Sequence, residues 1–167
     1  MSTNIILVGM MATGKSTVGA ILAKELGYEL VDLDHVIIET EGRSIAEIFA
    51  EAGEEYFRCL ETAVLKRMLE SGNKLISTGG GAVLAPGNKA LMLSKGYVVA
   101  LTATEEEIIA RVSGDQNRPL LAGNAEERVR EIMAERQDAY LFAHYTVDTT
   151  GLTAAEVSQH ILTHYRG

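Results

Sequence analysis

A chain of 167 residues, 47% hydrophobic and 23% charged, is sized for one domain with a sizeable core and is too apolar for disorder. The net charge of −8 and pI near 5.0 exclude a general nucleic-acid binder, so no nucleic-acid partner is expected and anionic ligands must be held by local arginines and lysines. No apolar stretch approaches the ~20 residues of a membrane span, no basic-then-apolar leader opens the chain, and the single cysteine, Cys59, has no partner for an internal disulfide; a reduced cytoplasmic setting without membrane contact is expected.

Asn4 to Val8 is a short apolar run rich in β-branched residues, as in a strand buried on both faces of a parallel sheet. Directly after it, Gly9-Met10-Met11-Ala12-Thr13-Gly14-Lys15-Ser16-Thr17 reads G-x-x-x-x-G-K-[ST], a phosphate-binding loop. The glycines let the backbone turn tightly and bring its N–H groups to an anion, and the positive end of the next helix adds to them. Lys15 reaches the outer phosphates and Ser16 offers a hydroxyl to Mg²⁺. Gly9, Ala12, Thr13, Gly14, Lys15, Ser16 and Thr17 are therefore the candidate nucleotide-binding residues. Val18, Ile21, Leu22 and Leu26, at helical spacing, with Gly27 as a stop, predict the helix the motif requires.

Tyr28 to Asp32 is the second predicted strand. Alternation through Asp32-Leu33-Asp34 sends both carboxylates to one side at the strand's carboxyl end, where parallel sheets bind ligands. Asp32 is there to help hold Mg²⁺, and Asp34 to accept a proton from, or orient, an acceptor hydroxyl. The competing reading is that one of them caps the next helix. Ser44-Ile45-Ala46-Glu47 has the capping-box pattern. Glu54 to Glu70 predicts a long helix with Phe57, Leu60, Val64, Leu65 and Met68 facing the core. By spacing Glu54 and Arg58 form a surface pair, yet Arg58 flanks Phe57, and an arginine there suits a two-pronged contact with a carboxylate; spacing leaves both readings open.

Lys74 to Ser77 predicts the third strand. Thr78-Gly79-Gly80-Gly81-Ala82 follows it, and three consecutive glycines at a strand's carboxyl end allow close backbone approach to a ligand. Tyr97 to Thr102 is the fourth strand, with a second capping-box pattern at Thr104 to Glu107. The Gly-, Pro- and Asn-bearing stretch Ser113 to Asn124 resists helix or strand and carries Arg118, which reads as a lid over a phosphate site. A charged, exposed helix is expected from about Ala125 to Ala139, where Arg136 reads by itself as an ordinary surface residue. Tyr145 to Asp148 is the fifth strand, and Thr153 to Glu156 caps a last helix. The alternation predicts an α/β fold with a mostly parallel sheet and a single domain over 1–167.

A phosphate-binding loop alone does not choose among GTPases, motor ATPases and small-molecule kinases. The guanine-reading N-K-x-D is absent and the chain is short for a motor, which leaves small kinases. Taken in order, Gly9 to Thr17, Asp32-x-Asp34 with Ile38 and Glu39, Gly53-Glu54-x-x-Phe57-Arg58-x-x-Glu61, Gly79-Gly80-Gly81, Arg118-Pro119-Leu120-Leu121, Arg136-x-x-x-Tyr140 and Val147-Asp148-Thr149 resemble the shikimate kinase family over nearly the whole chain. The resemblance implies a P-loop three-layer α/β/α sandwich, nucleoside monophosphate kinase-like, around a central five-stranded parallel sheet. A substrate-binding helical region at about 34–62 and a lid at about 113–124 go with it.

The resemblance further implies transfer of the ATP γ-phosphoryl group to the 3-hydroxyl of shikimate, with one Mg²⁺ accompanying ATP, on the way to chorismate and the aromatic amino acids. By resemblance Asp34, Arg58, Gly80 and Arg136 bind shikimate, the two arginines clamping its carboxylate and Glu61 orienting Arg58. Arg118 is then the lid arginine near the transferring phosphate, and Arg111 lies near adenine. The expected catalytic residues are Lys15, Asp34 and Arg118, the metal-site residues Ser16 and Asp32, the acid-substrate residues Asp34, Arg58, Gly79, Gly80, Gly81 and Arg136, and a monomer is expected. A kinase for gluconate or a nucleotide is the nearest alternative, and a shikimate-binding sensor without turnover is another; the latter would be expected to lose Lys15, Asp34 or Arg118. The family often has glycine where Ala12 stands, a position free in the general motif, so a small effect is expected. Cys59 reads as a packed helix residue and not a nucleophile. His35, His144, His160 and His164 lack metal-ligand spacing and read as structural or surface, and Met10 and Met11 as packing near the loop.

Overall fold

The computed structural model describes residues 3–113 and 125–166. Its five strands, β1 (Asn4–Gly9), β2 (Glu29–Asp32), β3 (Lys74–Ser77), β4 (Gly96–Thr102) and β5 (Tyr145–Asp148), form one parallel sheet in the order β2-β3-β1-β4-β5. Each lies within one residue of its expected bounds. The helices are α1 (Lys15–Leu26), α2 (Leu33–Glu41), α3 (Ile45–Met68), α4 (Asn88–Lys95), α5 (Glu105–Ser113), α6 (Ala125–Glu135) and α7 (Ala154–Arg166).

Strand alternation divides the core between the two faces. Ile6, Val8, Ile76, Val98 and Ala100 point to one, where they meet Ile37, Phe57, Val64 and Leu65 of α2 and α3 and Val129 and Ile132 of α6. Ile5, Leu7, Leu75, Val99 and Leu101 point to the other, against Val18 and Leu22 of α1 and Val157 and Ile161 of α7. Every residue of β1 is buried, as its unbroken apolar run requires, whereas the edge strands β2 and β5 each bury one residue of four. Because the chain runs from β1 to β2 and β3 on one side of it and then crosses to β4 and β5 on the other, the carboxyl end of β1 is the switch point of the sheet, and the phosphate-loop sequence lies there.

Three elements differ from expectation. The helix carrying Arg58 begins at Ile45, not Glu54: the Ser44–Glu47 capping box is complete, and Gly53, at φ 88° and ψ 168°, breaks the helix where the expected start lay. The late helix stops at Glu135; Arg136 to Phe142 are turns, with Ala139 N donating to Arg136 O in the tighter i→i+3 pattern. At Thr104 only half of the capping box forms. Glu107 N donates to Thr104 Oγ1, but the Glu107 carboxylate goes to Arg111 and Thr104 N donates to Thr150 Oγ1 instead. The expected lid, from residue 114 on, and Arg118 lie outside the described residues. Among the described residues no helix is long and apolar enough to cross a membrane.

Candidate active site

The carboxyl ends of β1, β2, β3 and β5 surround one cavity of about 1260 Å³. Its floor is the phosphate loop. Gly9 has φ 144°, and a Cβ there would strike the Leu101 carbonyl of the neighbouring strand β4; the first glycine is needed as much to fit the sheet as to turn the chain. Gly14, at φ 92°, has open space around it, so its requirement is purely conformational. Thr13 Oγ1 donates to Met10 O (2.7 Å). Lys15 is buried, and its Nζ donates to Gly9 O (2.7 Å) and Met10 O (2.8 Å), so the ammonium lies across the loop that its own helix follows. Ser16 and Thr17 are exposed on the first turn of α1 and line the cavity.

Ala12 is in the left-handed region at φ 62°, which favours glycine. Arg111 of α5 holds this peptide: its Nη1 donates to Ala12 O (2.8 Å) and lies 3.4 Å from Thr149 Oγ1, while its Nε pairs with Glu107 at 3.0 Å. Thr149, just past β5, gains its place by the same strand-end rule that singled out the other loops, but nothing in its residue type marked it. Arg128, expected on an exposed face, also lines the cavity.

The pairing of Asp32 and Asp34 arises differently from strand alternation. The strand ends at Asp32, which is the N-cap of α2 and accepts from His35 N at 3.2 Å; Asp34 sits in the helix's first turn. Both carboxylates nonetheless line the cavity. Burial raises the Asp34 carboxyl above the ordinary carboxylate range, Asp32 adds to the rise, and Lys15 and Arg58 oppose it.

None of Gly79, Gly80 and Gly81 has a positive φ, so what these glycines contribute is space and not an unusual backbone conformation. A Cβ at Gly79 would sit 3.0 Å from Asp34 Oδ1, at Gly80 3.1 Å from Arg136 Nη1, and at Gly81 2.8 Å from Arg58 Cζ and Nη1. Each missing side chain leaves room for one of the three ionic groups expected to meet an acid substrate. Side chains from three other elements approach these glycines closely. Arg58 is further held by Glu61, whose Oε1 accepts from Arg58 Nη1 at 3.0 Å, and more loosely by Glu54 at 3.6 Å. Glu61 is fully buried, and burial raises its carboxyl despite the opposing Arg58. Arg58 thus combines the surface pair with an inward role, because its guanidinium turns off the helix onto Gly81.

The remaining residues weighed from the sequence have structural surroundings. Cys59 is exposed, contrary to the packed position expected: it precedes the buried face that begins again at Glu61. His144 Nδ1 accepts from Val98 N (2.9 Å) and His164 stacks on Tyr145, both at the β4–β5 side of the sheet. Met10 is buried and Met11 packs partly against the core.

The sequence and the fold of this chain are both shared with known proteins. The family model described as shikimate kinase matches residues 11–166. The chain belongs to the shikimate kinase family. Shikimate kinases are ATP-dependent phosphotransferases whose acceptor is a hydroxyl of shikimate. The chain is 44% identical to the shikimate kinase of Geobacter sulfurreducens over 98% of its own length and 91% of the relative's, and 45% identical to that of Geobacter metallireducens over 98% and 92%. Among solved structures, the Acinetobacter baumannii shikimate kinase in complex with shikimate superposes with a TM-score of 0.90 at 39% identity, covering 97% of this chain and 92% of that one. The Bacteroides thetaiotaomicron shikimate kinase superposes with a TM-score of 0.93 at 28% identity over the whole of both chains. The five-stranded P-loop sandwich is that of the family.

Proposed function

We propose that this shikimate kinase transfers the γ-phosphoryl group of ATP to the 3-hydroxyl of shikimate, with Arg58 and Arg136 clamping the substrate carboxylate and Asp34 facing the reacting hydroxyl. The observation that carries the assignment is the glycine triplet, each member of which makes room for one of those three groups at the rim of the phosphate loop. A planar carboxylate suits two guanidinium forks, and a carboxyl raised by burial is nearer the pKa that suits a general base at neutral pH. Lys15 swings from its own loop carbonyls to the β- and γ-phosphates, and the loop N–H groups of Ala12 to Thr17 bind the rest. Arg111 holds the loop at Ala12 and borders the nucleotide side of the cavity. Arg118 supplies the lid charge.

Ser16 and Asp32 both present oxygen donors to the cavity, the hard ligands that Mg²⁺ takes. Among the described residues no group of three or more His, Cys, Asp or Glu side chains is built to hold a metal alone, which fits an ion that takes its other ligands from phosphates and water. When bound with ATP, Mg²⁺ neutralises charge on the phosphates. The residues at 34–62 form the acid-substrate side of a single domain, and the protein acts as a monomer in the cytoplasm. ADP release with ATP, Mg²⁺ and shikimate, gluconate or AMP in parallel tests the assignment: shikimate alone supports turnover, and the absence of shikimate-dependent ADP refutes it.

A further inference from the structure

The four backbone carbonyls of the glycine segment are each met by a donor, and the donors differ in reach. Ala82 N serves Gly79 O (3.1 Å) and Leu84 N serves Gly81 O (3.0 Å), both within the turn. Asn88 Nδ2 holds Ala82 O (2.8 Å) from the next helix. Gly80 O alone among the four is met from a distant part of the chain, by the hydroxyl of Tyr140 at 2.6 Å, across 60 residues. Tyr140 is 8% exposed, and burial raises its hydroxyl further, keeping it a donor at neutral pH.

Gly80 is also where the two halves of the site meet. From the position its Cβ would occupy, Arg136 Nη1 is 3.1 Å away, Gly9 O 3.6 Å and Met11 N 3.7 Å. The turn after α6 delivers both Arg136 and, four residues on, Tyr140 to this one glycine, and the guanidinium also neighbours the Tyr140 hydroxyl. We infer that Tyr140 is a positioning residue: by tethering Gly80 O it sets the spacing between Arg136, which receives the acid substrate, and the phosphate loop. Without the hydroxyl, Gly80 O loses that donor, the tether between turn and glycine segment slackens, and the Arg136 guanidinium loses a fixed wall.

The inference rests on the proposed shikimate activity, and Tyr140→Phe tests it by removing one oxygen. KM for shikimate rises about tenfold, as for an unsatisfied, partly buried carbonyl, while ATP affinity stays within about twofold. In an Arg136→Lys background the same change adds less than about threefold, since the tether then positions a group that no longer forks. In wild-type protein labelled with ¹³Cζ-tyrosine, the Tyr140 resonance moves when shikimate is added, which keeps the test available if the variant does not fold. An unaltered KM in Tyr140→Phe overturns the inference, as do an equal loss of ATP affinity, additivity with Arg136→Lys, or a resonance that ignores shikimate. Absence of shikimate-dependent ADP from the wild type sinks the activity reading instead.

Discussion

Gly81→Ala isolates the geometry of Arg58 from everything else in the fold. The added Cβ would lie 2.8 Å from Arg58 Cζ and Nη1 and nearer still to Nη2. Ordinary carbon contacts are 3.5–4.0 Å, so roughly 1 Å of withdrawal is needed. The backbone of Gly81 is poorly placed to supply it: its own carbonyl is bound by Leu84 N, and its neighbours are held by Tyr140 and Asn88. The guanidinium is the softer partner and gives way, at the expense of its 3.0 Å contact with Glu61. Backbone conformation is not at issue, because φ at Gly81 is negative or extended.

A displacement of this size in a substrate-positioning group costs about 10²-fold in kcat/KM. Steady-state ADP release with varied shikimate should show that loss, while ATP binding by calorimetry stays within about twofold and the melting temperature moves by no more than about 4 °C. Gly79→Ala and Gly80→Ala, with clearances of 3.0 and 3.1 Å from Asp34 and Arg136, should fall between Gly81→Ala and the wild type. Wild-type shikimate kinetics in Gly81→Ala would refute the seating argument, and a parallel loss of ATP affinity would show instead a general collapse of the loop.

Arg136→Ala should raise KM for shikimate by two orders of magnitude or so, as for loss of a buried charge-assisted contact, with nucleotide binding nearly intact; comparable loss of both misplaces the residue. Asp34→Asn should lower kcat roughly 10²–10⁴-fold and abolish the acid limb of the pH–rate profile, which in the wild type lies above the ordinary 3.8 because burial raises this carboxyl. The same variant should melt higher than the wild type near neutral pH. A carboxyl that binds its proton more tightly folded than unfolded loses stability as pH rises from 3.8 toward its raised value, so the gap closes below 3.8. Ala12→Gly relieves φ 62° and should stabilise the protein by about 0.5 kcal/mol in urea unfolding, the left-handed penalty of about 1 kcal/mol being offset in part by glycine's unfolded entropy.

The sheet was legible where burial on both faces leaves a plain signal: Asn4 to Val8 carries an apolar run, and Leu75-Ile76 an apolar centre, each closed by a glycine-bearing loop. Local chemistry also carried the capping boxes at Ser44 and Thr153, both of which close reciprocally. The box at Thr104 closed only halfway because a tertiary partner, Arg111, competes for Glu107 at 3.0 Å, and no local pattern announces such competition. The Asp32–Asp34 pairing pointed to the right place for an incomplete reason. Asp32 caps a helix whose start cannot be told from a continuing strand, and it reaches the cavity in either case.

The glycine triplet marks the deeper limit of what spacing can say. A missing Cβ at a strand's carboxyl end has the same signature whether a ligand or a side chain fills the room. What separates the two is which groups arrive from elsewhere in the chain: Asp34 from the first turn of α2, Arg58 from α3 beyond the break at Gly53, and Arg136 from the turn after α6. Three elements distant in sequence converge on three successive residues, so the segment acts as a template that spaces a carboxylate and two cations against the phosphate loop. In a protein of net charge −8, the attraction of an anionic acid proposed above depends on that template and not on the field of the whole molecule. Moving one guanidinium by about 1 Å therefore removes the two-pronged contact on which the proposed recognition rests.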